Sequence, residues 1–202
     1  MLMKRSGSSL AVLAVATMSL VACSKNESYS DSTAASSTMS ADTSAMGASG
    51  TAGGTWSDPN IVALLDEANM ADSAAGAIAA TKGTASAVRE FAQRMMRDHH
   101  QLRTQGADLA KKLNVTPAAP ADDPVQPMAQ NETNTLNSTA KGKDFDKAYI
   151  DAEVDAHKAV LDLATKAAQQ TQNTELKNLI QKAAPVIQGH LDRAQAIQKT
   201  LQ

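Results

Sequence analysis

Apolar side chains along most of the chain recur every three or four positions, which is the period of an amphipathic helix. Four stretches between residues 58 and 201 carry this stripe, and none shows the alternation of a half-buried β-strand. The pattern therefore predicts an all-α domain. Its long helices are expected at about 58–82, at 85–113, from 144 onward, and from 174 to 201.

Residues with known preferences for helix ends flank these stripes. Asp58 followed by Pro59 predicts an N-cap with proline at the first helical position, and Gly83 predicts a C-terminal stop. Residues 173–174 are expected to supply the cap of the last helix. Pro185 falls inside that helix and predicts a kink, because proline removes one backbone hydrogen bond.

About 30 residues separate the second stripe from the third, far more than a helix hairpin needs. This connection, residues 114–143, contains four prolines and a short apolar segment that predicts a small helix near Met128–Leu136. Its length would let the chain travel the height of a bundle, as in ferritin-like folds. We therefore predict a ferritin-like four-helix bundle with a long connection between helices two and three.

Ionisable side chains interrupt the apolar stripes on all four predicted helices. His99, His157 and His190 each occupy a position at which the three-or-four spacing predicts a core residue, whereas His100 points away and is expected in solvent. Buried ionisable groups are costly unless they are paired or bind a metal, so we predict one shared polar cluster near mid-height. Its candidate members are His99, His157, His190, Asp72, Asp98 and Glu153.

The first 22 residues predict a removable export signal. The basic pair Lys4-Arg5 precedes an apolar run, Leu10–Ala22, that is too short to span a bilayer. The only cysteine, Cys23, ends the sequence Leu-Val-Ala-Cys, which resembles the lipobox of bacterial lipoproteins. That resemblance implies a lipid anchor on Cys23, and Ser24 after it implies the outer membrane, with the protein facing the periplasm.

The residues after the signal differ in composition from the helical region. Residues 23–56 are rich in Ser, Ala, Thr and Gly and carry no periodic apolar stripe, so we predict a disordered tether. The predicted bundle then occupies residues 57–202.

Composition excludes several classes of protein. Aromatic residues make up 2% of the chain against 43% apolar residues, which suits closely packed helices better than β-sandwiches or barrels. The formal net charge is −2 and becomes more negative when Lys4 and Arg5 leave with the signal, which disfavours nucleic acid as the main partner. A single cysteine excludes an internal disulfide and a cysteine-based zinc or iron–sulfur site.

Three motifs together resemble the DUF4142 family. The first motif is Phe91–His99, which ends in Met-x-x-Asp-His. The second is Phe145–Tyr149, with His157 eight residues after the tyrosine. The third is Pro185, followed five residues later by His190 and Leu191. That family consists of bacterial exported proteins, often lipoproteins, and has no established activity. Membership implies a ferritin-like helical fold.

The resemblance covers about residues 59–199 and departs from the family pattern on the first helix. The family commonly carries Ala-Glu-x-Glu-x-Gly there, whereas this chain has Asp72 in place of the first glutamate and Ala74 in place of the second. A metal site that needs both glutamates is therefore disfavoured.

Two hypotheses for the polar cluster remain open. In the first, the histidines are hydrogen-bonded to carboxylates and hold the helices in register without catalysis. In the second, they bind Zn, Fe, Mn, Ni or Cu together with Asp72, Asp98 or Glu153. A di-iron enzyme is disfavoured because the chain lacks Glu-x-x-His, its nearest match being Glu153 and His157, which are four residues apart.

No catalytic residue is predicted, since the chain shows no Ser-His-Asp spacing, phosphate-binding loop or haem-attachment motif. We predict an envelope lipoprotein with a non-catalytic role, either in binding a protein or small ligand or as a structural, stress-related protein. A transition-metal-binding protein is the alternative.

Overall fold

A computed structural model of the chain describes residues 54–202, which form five α-helices and, within that range, no β-strand. The all-α prediction is therefore confirmed, and the predicted small helix is present in the connection, where it is longer than Met128–Leu136. The helices are α1 (Asp58–Lys82), α2 (Ser86–Lys112), α3 (Val125–Ser138), α4 (Lys143–Gln170) and α5 (Thr174–Thr200).

The predicted export signal, the lipidation site Cys23 and most of the predicted tether lie outside the described residues. Trp56, at the end of the predicted tether, is only 5% exposed and packs in the core. Its backbone N–H donates to Gln170 Oε1 at 2.7 Å, and Lys166 Nζ lies 3.7 Å from its ring centroid. The core thus includes the residue just before the predicted start of the bundle.

Of the helices within residues 54–202, none combines the length and the mean hydropathy that crossing a bilayer requires.

The N-terminus of α1 corrects one predicted boundary. Ser57, and not Asp58, is the N-cap: its hydroxyl accepts the Asn60 N–H, and the Asn60 side chain accepts the Ser57 N–H. This reciprocal capping box makes Asp58 the first helical residue and Pro59 the second, one position later than predicted. The negative charge of Asp58 in the first turn interacts favourably with the helix dipole. At the other end, Gly83 follows the last helical residue as predicted, with a φ of −59° and not a left-handed conformation.

The cap of α5 is Asn173, whose Oδ1 accepts the N–H groups of Glu175 and Leu176. The α5 backbone is helical on both sides of Pro185.

The four long helices form two hairpins, α1–α2 and α4–α5, with α1 packed on α4 and α2 on α5. Helix α4 begins beside the α1–α2 turn, where the Asp146 carboxylate accepts the N–H groups of Thr84 and Ala85 at 2.8 Å each. Helix α5 begins at the opposite end, where Glu175 pairs with Lys112 near the end of α2. The connection that carries α3 therefore climbs the height of the bundle, as predicted.

The core consists of two apolar clusters, one toward each end of the bundle. Helices α1 and α2 approach closely at Gly76, where an added Cβ would lie 2.8 Å from the Ala92 carbonyl oxygen. A layer of buried polar side chains separates the two clusters along the helices. The first cluster includes Trp56, Ile61, Leu64, Val160, Leu163, Leu176 and Ile180, and the second includes Val88, Phe91, Met95, Leu136, Phe145, Tyr149 and Ile197.

Candidate metal centre

Three buried histidines from three helices face one another between the two apolar clusters. His99 of α2, His157 of α4 and His190 of α5 are each 1–2% exposed. Their ring centroids lie 5.2 to 5.7 Å apart, and one ring nitrogen of each lies within 4.8 Å of a ring nitrogen of the other two. The structure thus brings together the three histidines that the sequence placed on core faces.

The helices bring the histidines to one level because their lengths are similar. Helices α2, α4 and α5 contain 27 or 28 residues, and each carries its histidine near the middle. Helices of similar length that are packed side by side align their midpoints, so the imidazoles occupy the same layer.

The imidazole of His99 is oriented by polar side chains of α1. Its Nδ1 lies 2.8 Å from Asn69 Oδ1 and 3.4 Å from Asp72 Oδ2. Both oxygens are acceptors, so Nδ1 carries the proton and donates. Nε2 of His99 is then left with its lone pair.

The other two histidines are oriented in the same manner by different partners. His157 Nδ1–H donates to the backbone carbonyl of Glu153 at 2.8 Å, with Glu153 Oε2 at 3.3 Å. His190 Nε2–H donates to Asp98 Oδ2 at 2.9 Å. Asp98 lies at the edge of the layer, since its side chain is 34% exposed. It therefore contacts a ring nitrogen of His190 from the edge of the buried layer.

The remaining nitrogen of each imidazole is buried without a hydrogen-bond partner among residues 54–202. These atoms are His99 Nε2, His157 Nε2 and His190 Nδ1. In a neutral imidazole whose other nitrogen donates, such an atom carries an accessible lone pair. Leaving a buried polar atom unpaired costs about 1–3 kcal/mol, so a partner that satisfied these three atoms would stabilise the fold.

Burial keeps the imidazoles of His99 and His190 in the neutral form, which is the form that binds a metal ion. Desolvation lowers the pKa of His99 to about 4, although the nearby Asp72 carboxylate opposes this change. Burial also lowers the pKa of His190, and the hydrogen bond to Asp98 opposes it. Both rings are therefore neutral near pH 7.

Carboxylates adjoin the histidines on one side. Asp72, Glu153 and His157 each place one candidate ligand atom within 4.8 Å of the others. Glu153 is fully buried, and neither of its carboxylate oxygens has a hydrogen-bond partner in the described part of the chain. Burial, followed by the charge of Asp72, raises the pKa of Glu153 well above its ordinary value.

The structure adds three polar residues that we did not identify from the sequence, namely Glu132, Asn69 and Tyr149. Glu132 of α3 is 8% exposed, and burial, with a contribution from Asp72, raises its pKa to about 8. The Tyr149 hydroxyl is buried without a partner within residues 54–202, and burial, followed by the Glu153 charge, raises its pKa. His100 is exposed, as predicted.

The sequence contained a signal for Glu132. It continues the apolar spacing of α3 between Val125 and Leu136, as the histidines do on the longer helices. Asn69 carried a weaker signal, because its only indication was its place three residues before Asp72, and asparagine is mostly exposed in folded proteins.

The donor set suits a borderline transition-metal ion. Three imidazole nitrogens with a carboxylate oxygen nearby are ligands that Zn, Cu, Ni and Fe accept. Each candidate histidine also has a hydrogen bond on its other nitrogen, the arrangement that orients imidazoles in metal sites and raises their basicity.

Solved structures share this helical fold. CopM in the Cu(II)-bound form superimposes with a TM-score of 0.60 at 12% identity, covering 73% of this chain and 99% of CopM. CopM in the Cu(I)-bound form gives 0.57 at 13% identity, covering 72% and 97%. A DUF305 fragment from Deinococcus radiodurans gives 0.58 at 12% identity, covering 70% and 97%. At these identities the similarity concerns the fold.

Sequence comparison identifies the family. No curated protein is significantly similar to the chain. The domain of unknown function DUF4142 matches residues 42–197, which span the five helices up to the last residues of α5. The chain therefore belongs to the DUF4142 family.

Proposed function

We propose that this domain binds a transition-metal ion through His99, His157 and His190, with an oxygen of Asp72 or Glu153 as a further ligand. The observation that carries the proposal is the set of three unpaired imidazole nitrogens buried in one layer. A bound ion would accept all three lone pairs at once. When bound, the ion supplies a positive charge that also offsets the buried carboxylates.

The alternative role is a network that only holds the helices in register. It accounts for one of the two ring nitrogens of each histidine. Asn69, Asp98 and the Glu153 carbonyl each satisfy one nitrogen of a histidine. A purely structural network would be expected to satisfy the second nitrogen as well, because unpaired buried acceptors destabilise the fold. The unpaired nitrogens therefore favour metal binding over the register role alone.

Copper is the first ion to test. Imidazole nitrogen binds copper in both common oxidation states, and copper(II) lies at the top of the affinity order of the divalent metals. The shared fold with CopM, which has been solved in Cu(I)-bound and Cu(II)-bound forms, supports the same choice. Zinc and nickel are the natural comparison ions for this donor set.

Equilibrium dialysis of the metal-stripped protein against Cu(II), Zn(II) or Ni(II), followed by elemental analysis, tests the proposal. We expect about one equivalent of at least one ion to remain bound and to raise the melting temperature. His157→Gln should abolish this binding, whereas His100→Ala, which changes an exposed neighbour of His99, should preserve it. Binding of less than about a tenth of an equivalent would leave only the register role.

We also propose that the protein is held at the bacterial outer membrane, facing the periplasm, by a lipid on Cys23. The support is the lipobox-like sequence that ends at the only cysteine. Radiolabelled palmitate should be incorporated into the parent and not into the Cys23→Ala variant. Equal labelling of both proteins would contradict this anchor.

A further inference from the structure

A pocket of about 260 Å³ lies in the bundle beside the candidate metal centre. All four long helices contribute apolar side chains to its walls. Three polar residues of the central layer, Asn69, Asp72 and His99, also line it. On its outer side lie Asp66 and Arg103, a half-exposed ion pair with Nε and Oδ1 2.8 Å apart. The apolar wall residues include Val62, Leu102, Val160, Leu176, Ile180 and Ile187.

The pocket exists because small residues meet on its walls. Gly106 of α2 lines it, and a Cβ added there would meet nothing within 4 Å. Alanines on all four helices line the rest of the same space, so side chains do not fill it. Only 2% of the residues of the chain are aromatic, so few large side chains are available to fill such a space. The alanines are Ala68, Ala107, Ala110, Ala164 and Ala183.

Size and polarity restrict what this pocket could hold. An apolar cavity of about 150 Å³ is large enough for benzene, so a space of this larger size accommodates a bicyclic ring or a short alkyl chain. It is too small for a helix or a second copy of the chain. A charged ligand would lose its hydration among apolar walls, and the Arg103 charge is already paired with Asp66.

We propose that this pocket binds a small, uncharged, mainly apolar molecule that carries one hydrogen-bonding group. The apolar part would occupy the space between the four helices, and the polar group would face Asn69, Asp72 and His99. An apolar pocket with a few polar groups on one side is the usual form of a small-molecule site. This proposal does not rest on metal binding, since the walls and volume are present without an ion.

Binding of 1-naphthylamine, a bicyclic fluorescent probe with one amino group that is uncharged at neutral pH, tests the proposal. The full-length protein would carry Cys23→Ala so that no attached lipid binds the probe. We expect saturable enhancement of probe fluorescence in this parent. Gly106→Leu should weaken probe binding at least about tenfold, because the new side chain occupies the pocket.

Gly189→Leu is the matched control, because Gly189 is also a helical glycine with no atom within 4 Å of an added Cβ, and it lies on the exposed face of α5. It should bind the probe like the parent. Ala183→Leu fills the pocket from α5 and provides a second test if Gly106→Leu does not fold. The proposal is overturned if the parent does not bind the probe, or if folded pocket-filling variants bind it like Gly189→Leu.

Discussion

Oδ2 of Asp98 lies 2.9 Å from Nε2 of His190, and this contact leaves Nδ1 of His190 as the unpaired nitrogen. Asp98 is the sequence neighbour of His99 on α2. Two consecutive residues of one helix therefore serve the same centre, one as a candidate ligand and the other by orienting a ligand from α5. A metal site in this bundle would depend on the pairing of α2 with α5 as much as on the histidines themselves.

Replacing Asp98 tests this orienting role. Asp98→Ala removes the acceptor that holds the His190 ring, so metal affinity should fall about 10- to 100-fold while the stoichiometry stays the same. Competition against a chromophoric chelator measures the affinity. Asp108→Ala, which removes an exposed carboxylate from the same helix, is the control and should leave the affinity unchanged. Equal affinity for both variants would remove Asp98 from the site.

Acidification should destabilise the metal-free protein through His99. Its pKa is lowered from 6.5 to about 4 in the folded state, so between these values the unfolded chain binds a proton that the folded chain does not. Stability from this residue is present above pH 6.5 and is lost toward pH 4, by up to about 1.4 kcal/mol per pH unit. Urea unfolding of the parent and of His99→Gln measures this effect. As the pH falls from 6.5 to 4, the free energy of unfolding of the parent should decrease more than that of His99→Gln. A constant difference between pH 7 and 4.5 would contradict the prediction.

Glu132 should have the opposite pH dependence. Its pKa is raised from 4.5 to about 8, so the folded protein retains a proton that the unfolded chain releases. The free energy by which this buried carboxyl destabilises the folded protein therefore grows as the pH rises from 4.5 to 8. Glu132→Gln should therefore stabilise the metal-free protein by about 1–3 kcal/mol at pH 8 and have little effect near pH 4.5.

Denaturant unfolding at both pH values measures this effect, with Glu90→Gln, an exposed glutamate of α2, as the control. A Glu132→Gln variant that is less stable than the parent at pH 8 would show that the carboxylate is charged and paired.

Asp146 should be important for stability. It is 1% exposed, and its carboxylate accepts two backbone N–H groups at the start of α2, which has no side-chain cap of its own. Asp146→Ala leaves these partly buried donors without an acceptor, so we expect a loss of about 1–3 kcal/mol in the free energy of unfolding. Thermal or urea unfolding measures the loss. Asp144 is an exposed aspartate in the same turn of α4 and provides the control. Asp144→Ala should change the free energy of unfolding by less than about 1 kcal/mol. A similar loss in both variants would contradict the capping role of Asp146.

Local sequence was sufficient for the helices and for the faces they bury. The spacing of three and four residues placed His99, His157 and His190 inside, because a side chain's direction on a helix depends only on its position along that helix. The start of α1 was harder. Ser57 and Asp58 can both cap a helix, and the choice of Ser57 depends on the side chain of Asn60, which completes the capping box.

The partners of the histidines could not be assigned from local sequence. Asn69 meets His99 from α1, and Asp98 meets His190 from α2, so both contacts depend on how helices pair and on their relative height. Glu132 reaches the layer only because the connection climbs the bundle with α3 against α1 and α4. Contacts between distant segments are not encoded in the period of either segment alone.

The sequence by itself determined an all-α domain, its helical periodicity and the inward position of three histidines, because these follow from interactions within a few residues. Only the tertiary structure decided that the histidines share one layer, that one nitrogen of each is left unpaired, and that small residues from four helices enclose a pocket. These features are relations between helices, set by packing and hydrogen bonds across the bundle. They carry the proposals for metal and small-molecule binding.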